Sequence, residues 1–299
     1  MSSREDIQIF SYGEVLDAWL YPAAGAASEA QSPAIVLAHG LGGTKEMRLD
    51  AFADRFSKAG FVCLVFDYRY FGKSTGKPRG LIDVEAQVKD WNVAIEYTAK
   101  LPQVDPQRIG IFGSSFSGGH VIRLAATNPL VKATVSQCPF TDGFASSWTV
   151  GLANLPKILV LALWDMFASS KDEPVRLRLV GKPGELAFLN SPDSFNGCRS
   201  LLPPGADRAE IEAVPARLAL QFPFLYPGSY AKQVKTPILF AICGKDQVAP
   251  ANTTLRYAKQ ASKGTIEYYP NMGHFDIYTG DEFEKVVPVY TAFYQANLD

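Results

Sequence analysis

The sequence predicts an α/β fold with a mostly parallel central sheet, helices on both faces, and a helical cap inserted after the sixth strand. Three observations carry this. Continuous apolar runs recur at residues 34–38, 62–66, 109–112, 133–135 and 238–243, as strands covered on both faces require. Between them lie stretches where apolar residues return every three or four positions, the period of a helix packed on one side. This alternation stops between about residues 141 and 232 and then resumes, which marks an insertion.

In chain order, residues 7–10 and 15–20 alternate around Tyr12-Gly13 and read as a hairpin leading into the sheet. The 34–38 strand is followed by Leu49, Phe52 and Phe56, a helix stopped by Gly60. After the 62–66 strand, Asp83 caps a helix carrying Val84, Val88, Trp91 and Ile95 on one face. The 109–112 strand runs into a helix starting near Phe116, and 133–135 is the sixth strand. The insertion holds an apolar helix at 155–166, Pro/Gly-rich turns at 181–184 and 203–205, and a second helix at 207–220. Its apolar side chains (Trp148, Leu159, Leu161, Trp164, Phe167, Phe222 and Phe224) predict a lid packed over an apolar site. Beyond it come a strand at 238–243, a helix opened by Pro250, a strand at 265–269 and a last helix with Phe283, Val286, Tyr290 and Phe293 on one face. The chain thus divides into a core of residues 1–140 and 233–299 and a cap of residues 141–232.

Composition narrows the function. With 299 residues, 47% hydrophobic and 20% charged, the chain is globular rather than disordered or fibrous. Basic residues number 29 and acidic 30, a net charge of −1, so no field of one sign exists for nucleic acid or an anionic membrane. The longest apolar run, 158–164, is far below the roughly 20 residues that span a bilayer. The first residues lack the basic and apolar regions of a secretory signal, which predicts a cytosolic protein. Cys63, Cys138, Cys198 and Cys243 show no Cys-x-x-Cys spacing and read as buried thiols.

The chemistry concentrates at Gly113-Ser114-Ser115-Phe116-Ser117-Gly118-Gly119, where a buried strand meets a helix. A serine at such a sharp turn presents its hydroxyl above the sheet at a helix N-terminus, where developing negative charge is favoured. Gly113 supplies the small residue before Ser115, and Ser117 stands where the usual G-x-S-x-G pattern has its second glycine. Three histidines restrict the search for a base. His274 lies in a loop after a strand and before the last helix and is the candidate; His120, one turn into the helix after Ser115, reads as a packing or surface residue. His39 opens a glycine-rich turn, His39-Gly40-Leu41-Gly42-Gly43, which has no G-x-G-x-x-G spacing and so predicts no dinucleotide cofactor. It fits an oxyanion loop instead, with the amides of Leu41 and Phe116 as the two donors. Asp246, just past the 238–243 strand, is the candidate acid, with Asp142 as competitor; Asp276 reads as a local turn cap. No cofactor or metal is called for.

Together, His39-Gly40, Asp67-Tyr68-Arg69-Tyr70-Phe71-Gly72-Lys73-Ser74, the elbow at Ser115, Gly244-Lys245-Asp246 and Gly273-His274 resemble the α/β-hydrolase superfamily over nearly the whole chain outside the cap. The chain order Ser115, Asp246, His274 is the one that superfamily uses. Within it the sequence is similar to the dienelactone-hydrolase-like branch, most of all to the fungal polyketide transferase and hydrolase group, although Ser115 departs from the cysteine of dienelactone hydrolases proper. The resemblance implies a small-molecule acyl substrate, polyketide-like and carrier- or thioester-bound, and no nucleic acid or membrane partner. Three functions follow from it: an esterase or thioesterase, an acyltransferase to an alcohol or amine, or a non-catalytic binding protein. Tyr68, Tyr70 and Phe71 either line the acyl pocket or pack in the core. Lys73 and Arg69 either meet a carboxylate or pantetheine phosphate or are solvated.

Overall fold

In the computed structural model, which describes residues 3–25, 30–150, 154–168, 170, 172–206 and 212–298, the amino-terminal alternation forms β1 (Glu5–Ser11) and β2 (Glu14–Tyr21), paired antiparallel. Tyr12 and Gly13 join them with φ of 47° and 88°, the turn geometry whose twist matches that of the flanking strands. Strands β3 (Ser32–Ala38), β4 (Val62–Phe66), β5 (Val104–Ser114) and β6 (Val131–Gln137) follow, separated by helices α1 (Leu49–Lys58), α2 (Val84–Ala99) and α3 (Phe116–Thr127). As the capping pattern predicts, the Asp83 side chain accepts from the Ala86 amide at the start of α2.

After β6 the chain forms α4 (Gly143–Ser147), α5 (Leu155–Phe167), a two-stranded ribbon of β7 (Arg176–Arg178) and β8 (Ala213–Pro215), and the short helices α6 (Ser194–Ser200) and α7 (Leu218–Gln221). It then re-enters the sheet as β9 (Ile238–Cys243), α8 (Ala251–Ala258), β10 (Gly264–Tyr269) and α9 (Gly280–Leu298). The eight-stranded sheet has the order β1-β2-β4-β3-β5-β6-β9-β10, parallel throughout except where β2 meets β1 and β4.

From β3 the chain moves outward to β4, then crosses back to place β5 on the other side. The carboxyl ends of β3 and β5 therefore flank a topological switch point, the place where open α/β sheets bind ligands. The loops carrying His39 and Ser115 leave the sheet there. Phe52, Phe56, Phe112, Tyr290 and Tyr294 fill one face of the sheet. Trp91, Ile95, Val36, Leu64 and Ile111 fill the other, in a cluster that continues into Ile158, Leu179, Phe188 and Leu218 of the insertion.

Two expectations for the insertion need correction. Of the helix expected at 207–220, residues 207–211 lie outside the described residues, 213–215 form β8 against β7, and only α7 is helical. Pro215 cannot donate inside a helix and Val214 is β-branched, and both suit a short edge pairing better. The apolar side chains expected to pack inward also divide: Leu161 and Phe222 are partly buried against the core, whereas Trp148, Leu159, Trp164, Phe167 and Phe224 are exposed. Among the described residues no helix is long and apolar enough to cross a membrane.

Candidate active site

Ser115 joins β5 to α3 with φ 57° and ψ −117°, a left-handed conformation unfavourable for a residue with a side chain. Its neighbours hold it there: the Ser115 amide donates to the Gln137 carbonyl (2.9 Å), and the Ser115 carbonyl accepts from Phe140 (2.8 Å). Close approach of the β3 loop completes the elbow, since a Cβ on Gly40 would lie 2.9 Å from the Ser115 Cβ.

The structure brings together the three side chains that the spacing pattern picks out. Ser115 Oγ lies 3.0 Å from His274 Nε2, and His274 Nδ1 lies 2.7 Å from Asp246 Oδ2. With the ring proton on Nδ1, the imidazole donates to Asp246 and accepts the serine hydroxyl. Asp246 is fixed in turn, its Oδ1 accepting from the amides of Val248 (2.8 Å) and Ala249 (2.7 Å). The Gly244 amide donates to Tyr269 at the end of β10, and the Lys245 amide to Met272 ties the Asp246 and His274 loops together. Burial alone would lower the His274 pKa, but the charge and hydrogen bond of Asp246 outweigh it and, with Asp193 adding, hold the imidazole above its usual value.

The competing residues have other partners. Asp142 caps α4 by accepting from Ala145, and meets Tyr257 and Arg256 with its other oxygen. Asp276 accepts from the Gly273 amide (2.7 Å), so it closes the turn before it rather than the one after. His120 is buried, hydrogen-bonded to Gln87, and pushed down to about 3 by burial, with Arg123 adding. His39 is also buried, its Nδ1 on the Gly40 carbonyl, and burial lowers its pKa as well.

Tyr68 and Phe71 are core residues; the Tyr68 hydroxyl meets Ser117 and Trp91. Arg69 is not solvated but forms a buried pair with Asp90 (2.5 Å), and Lys73 is exposed. Three of the four cysteines are buried and Cys198 is half-buried.

Two groups escaped the sequence reading. Lys45 has no exposed surface, and its ammonium lies 2.5 Å from Asp17 and 2.6 Å from Asp67, whose other oxygen accepts the Lys45 amide. This network pins the turn carrying Leu41. Asp193, at the start of α6, sits beside Gly273. Only a lysine following the glycine turn and an aspartate ending β4 hinted at the first, and nothing local hinted at the second.

Two clefts meet at the serine. One lies on the side of Phe116, Phe140, Phe188, Phe222 and Val248. The other lies on the side of His274, Met47, Cys198, Phe275 and Tyr278. Leu41, Ser115 and Leu189 line both, and among the described residues neither is lined by a Lys or Arg. Among the described residues no His, Cys, Asp and Glu cluster could hold a metal ion.

Residues 35–287 match the alpha/beta hydrolase family. The chain is 44% identical over 283 residues to the quorum-quenching protein AidA of Acinetobacter baumannii, covering 94% of this chain and 91% of that one. It is 28% identical over 292 residues to the thiohydrolase aneE of Aspergillus aculeatus, covering 89% and 86%. Among solved structures, the alpha/beta hydrolase GrgF from Penicillium sp. sh18 superposes with a TM-score of 0.82 at 23% identity, covering 99% of both chains; that likeness is one of fold.

Proposed function

The chain belongs to the alpha/beta hydrolase family, and from that premise we propose that it is a serine hydrolase cleaving acyl esters or thioesters through an acyl-enzyme on Ser115. The observation that carries the reading is the relay from Ser115 through His274 to Asp246 opening onto an apolar cleft. In this reading Ser115 Oγ attacks the acyl carbonyl as His274 Nε2 takes its proton, and Asp246 holds the imidazole tautomer and stabilises the imidazolium. The Leu41 and Phe116 amides stabilise the oxyanion. Collapse breaks the bond to the leaving oxygen or sulfur, which receives the proton from His274. Water then gives a proton to His274, attacks the acyl carbon and releases the acid, and the proton returns to Ser115.

Residues 141–232 act here as a cap that supplies the cleft with Phe188, Leu189 and Phe222. Because His274 must protonate the leaving group, that group occupies the cleft on the His274 side and the acyl chain the cleft lined by phenylalanines. The apolar linings support an uncharged acyl group, and a carrier's phosphate would lie outside both clefts. The thiohydrolase relative supports thioesters, and the quorum-quenching relative adds quorum signals to the candidates.

The test is labelling with a fluorophosphonate followed by mass spectrometry. The adduct is expected on Ser115 and absent in Ser115→Ala; an intact protein that takes no label would leave only the binding-protein reading. Acyl thioesters are then offered with water alone and with added alcohols. Free acid from water alone supports the hydrolase, whereas ester formed only with an alcohol present makes the protein an acyltransferase.

A further inference from the structure

The cap carries an apolar face turned outward. Helix α5 buries Ile158, Ala162 and its one acidic residue, Asp165, while Leu159, Val160, Leu163, Trp164, Met166 and Phe167 are 41–79% exposed. A surface helix ordinarily puts its charges outside; this one is inverted. The face extends beyond the helix, because α5 packs on α7, α7 on the 3-10 turn Phe222–Phe224, and that turn on α4. Along this path Phe224 is 75% exposed, and Phe144 and Trp148, with ring centroids 5.7 Å apart, are each 55% exposed.

Five rings 55–79% exposed, at about 150–250 Å² for a whole aromatic side chain, together with the exposed parts of Leu159, Val160, Leu163 and Met166, leave on the order of 900 Å² of apolar surface. The largest patch on a monomeric protein is typically about 300–600 Å², whereas a standard protein interface buries about 800 Å² on each partner. The size is that of an interface.

Charge selects the occupant. Among the described residues the exposed side of α5 has no charge after Lys157, and Asp172 and Glu173 beyond its end are offset by the exposed Arg176 and Arg178 of β7, which packs on α5, so no excess of positive charge marks the face for an anionic lipid surface. An uncharged face on a chain of net charge −1 meets no repulsion from its own copy. We propose that this face is a two-fold interface with a second copy of the chain.

The interface bears on the cleft. Ser146, Thr149 and Phe222 line the phenylalanine side of the cleft, while Phe144, Trp148 and Phe224, on the same short elements, belong to the outer face. Association therefore clamps the roof of the cleft from outside.

Sedimentation velocity from 1 to 100 µM protein tests this, with Leu163→Glu and Phe167→Glu as separate variants whose folding is checked by near-UV circular dichroism. The wild type is expected to sediment as a dimer and each variant at least tenfold more weakly associated. Specific activity on an acyl thioester should rise with wild-type concentration as dimers form and stay low and flat in the variants. A wild type monomeric throughout, a dimer indifferent to both substitutions, or a monomer that co-sediments with phosphatidylglycerol vesicles overturns the proposal. A dimer whose activity does not follow association overturns the clamp. A dimer without any hydrolase activity upholds the interface and counts against the catalytic reading alone.

Discussion

Lys45 is held, fully buried, between two carboxylates, and removing one partner of such a set leaves the others uncompensated. Lys45→Met is expected to lower unfolding free energy by about 3–5 kcal/mol, read by urea denaturation, with Lys45→Met/Asp67→Asn recovering part of it. At His274 the sign works the other way from simple burial. The imidazole must be neutral to accept the serine proton, and Asp246 with Asp193 holds it protonated to a higher pH than usual, so kcat/KM is expected to rise with pH through a limb above 6.5. Asp193→Asn should move that limb to lower pH with little change in the plateau; an unmoved limb would show that Asp193 does not act on the imidazole. Ser115, Asp246 and His274 are legible in sequence because each sits at a strand end whose neighbours define the turn. The Lys45, Asp17 and Asp67 set is not, since its members lie on β2 and on the loops after β3 and β4, which only the sheet brings together.

The core elements are legible because the inner strands carry continuous apolar runs, β1 and β2 alternate, and the helices between them are apolar on one face, so period and burial agree. The insertion breaks this rule. In α5 the run of Ile158 to Trp164 reads as a buried helix, yet only Ile158 and Ala162 of it are fully covered, because apolar periodicity reports that a face will be covered without saying by what. Its orientation is set by Asp165, whose carboxylate accepts from the Arg217 amide (2.8 Å) and guanidinium (2.7 Å) just before α7. Hydrogen bonds involving charged groups contribute about 1.5–3 kcal/mol. Asp165→Asn should therefore speed amide exchange in α5 by about 10- to 150-fold at this loss, while amides of β5 and β6 keep their wild-type protection. Uniform acceleration in both regions would mean that the pair holds the whole fold and not the cap alone.

For the molecule as a whole, acid stability turns on histidines the proposed chemistry does not use. His39 and His120 are buried as neutral rings, with burial the main cause that lowers both, and His120 falls to about 3. The unfolded chain binds a proton at each near 6.5, so between that value and the folded one it holds more protons than the native state. Stability is therefore full above about pH 6.5 and declines as the pH falls, by at most about 1.4 kcal/mol per pH unit for each ring. His274 acts in reverse: its raised value adds stability that is complete below about 6.5 and fades as the pH rises through the folded value. The two depressed rings outnumber the raised one, and the expected urea midpoint falls from pH 7 to pH 5. His120→Gln removes one titrating ring beside Gln87 and should flatten that fall even if it lowers stability at pH 7. A slope equal to the wild type's would mean that this ring is already protonated in the native protein, although it packs against Phe116, Tyr68 and Gln87 and the nearby Glu85 is paired with Arg123.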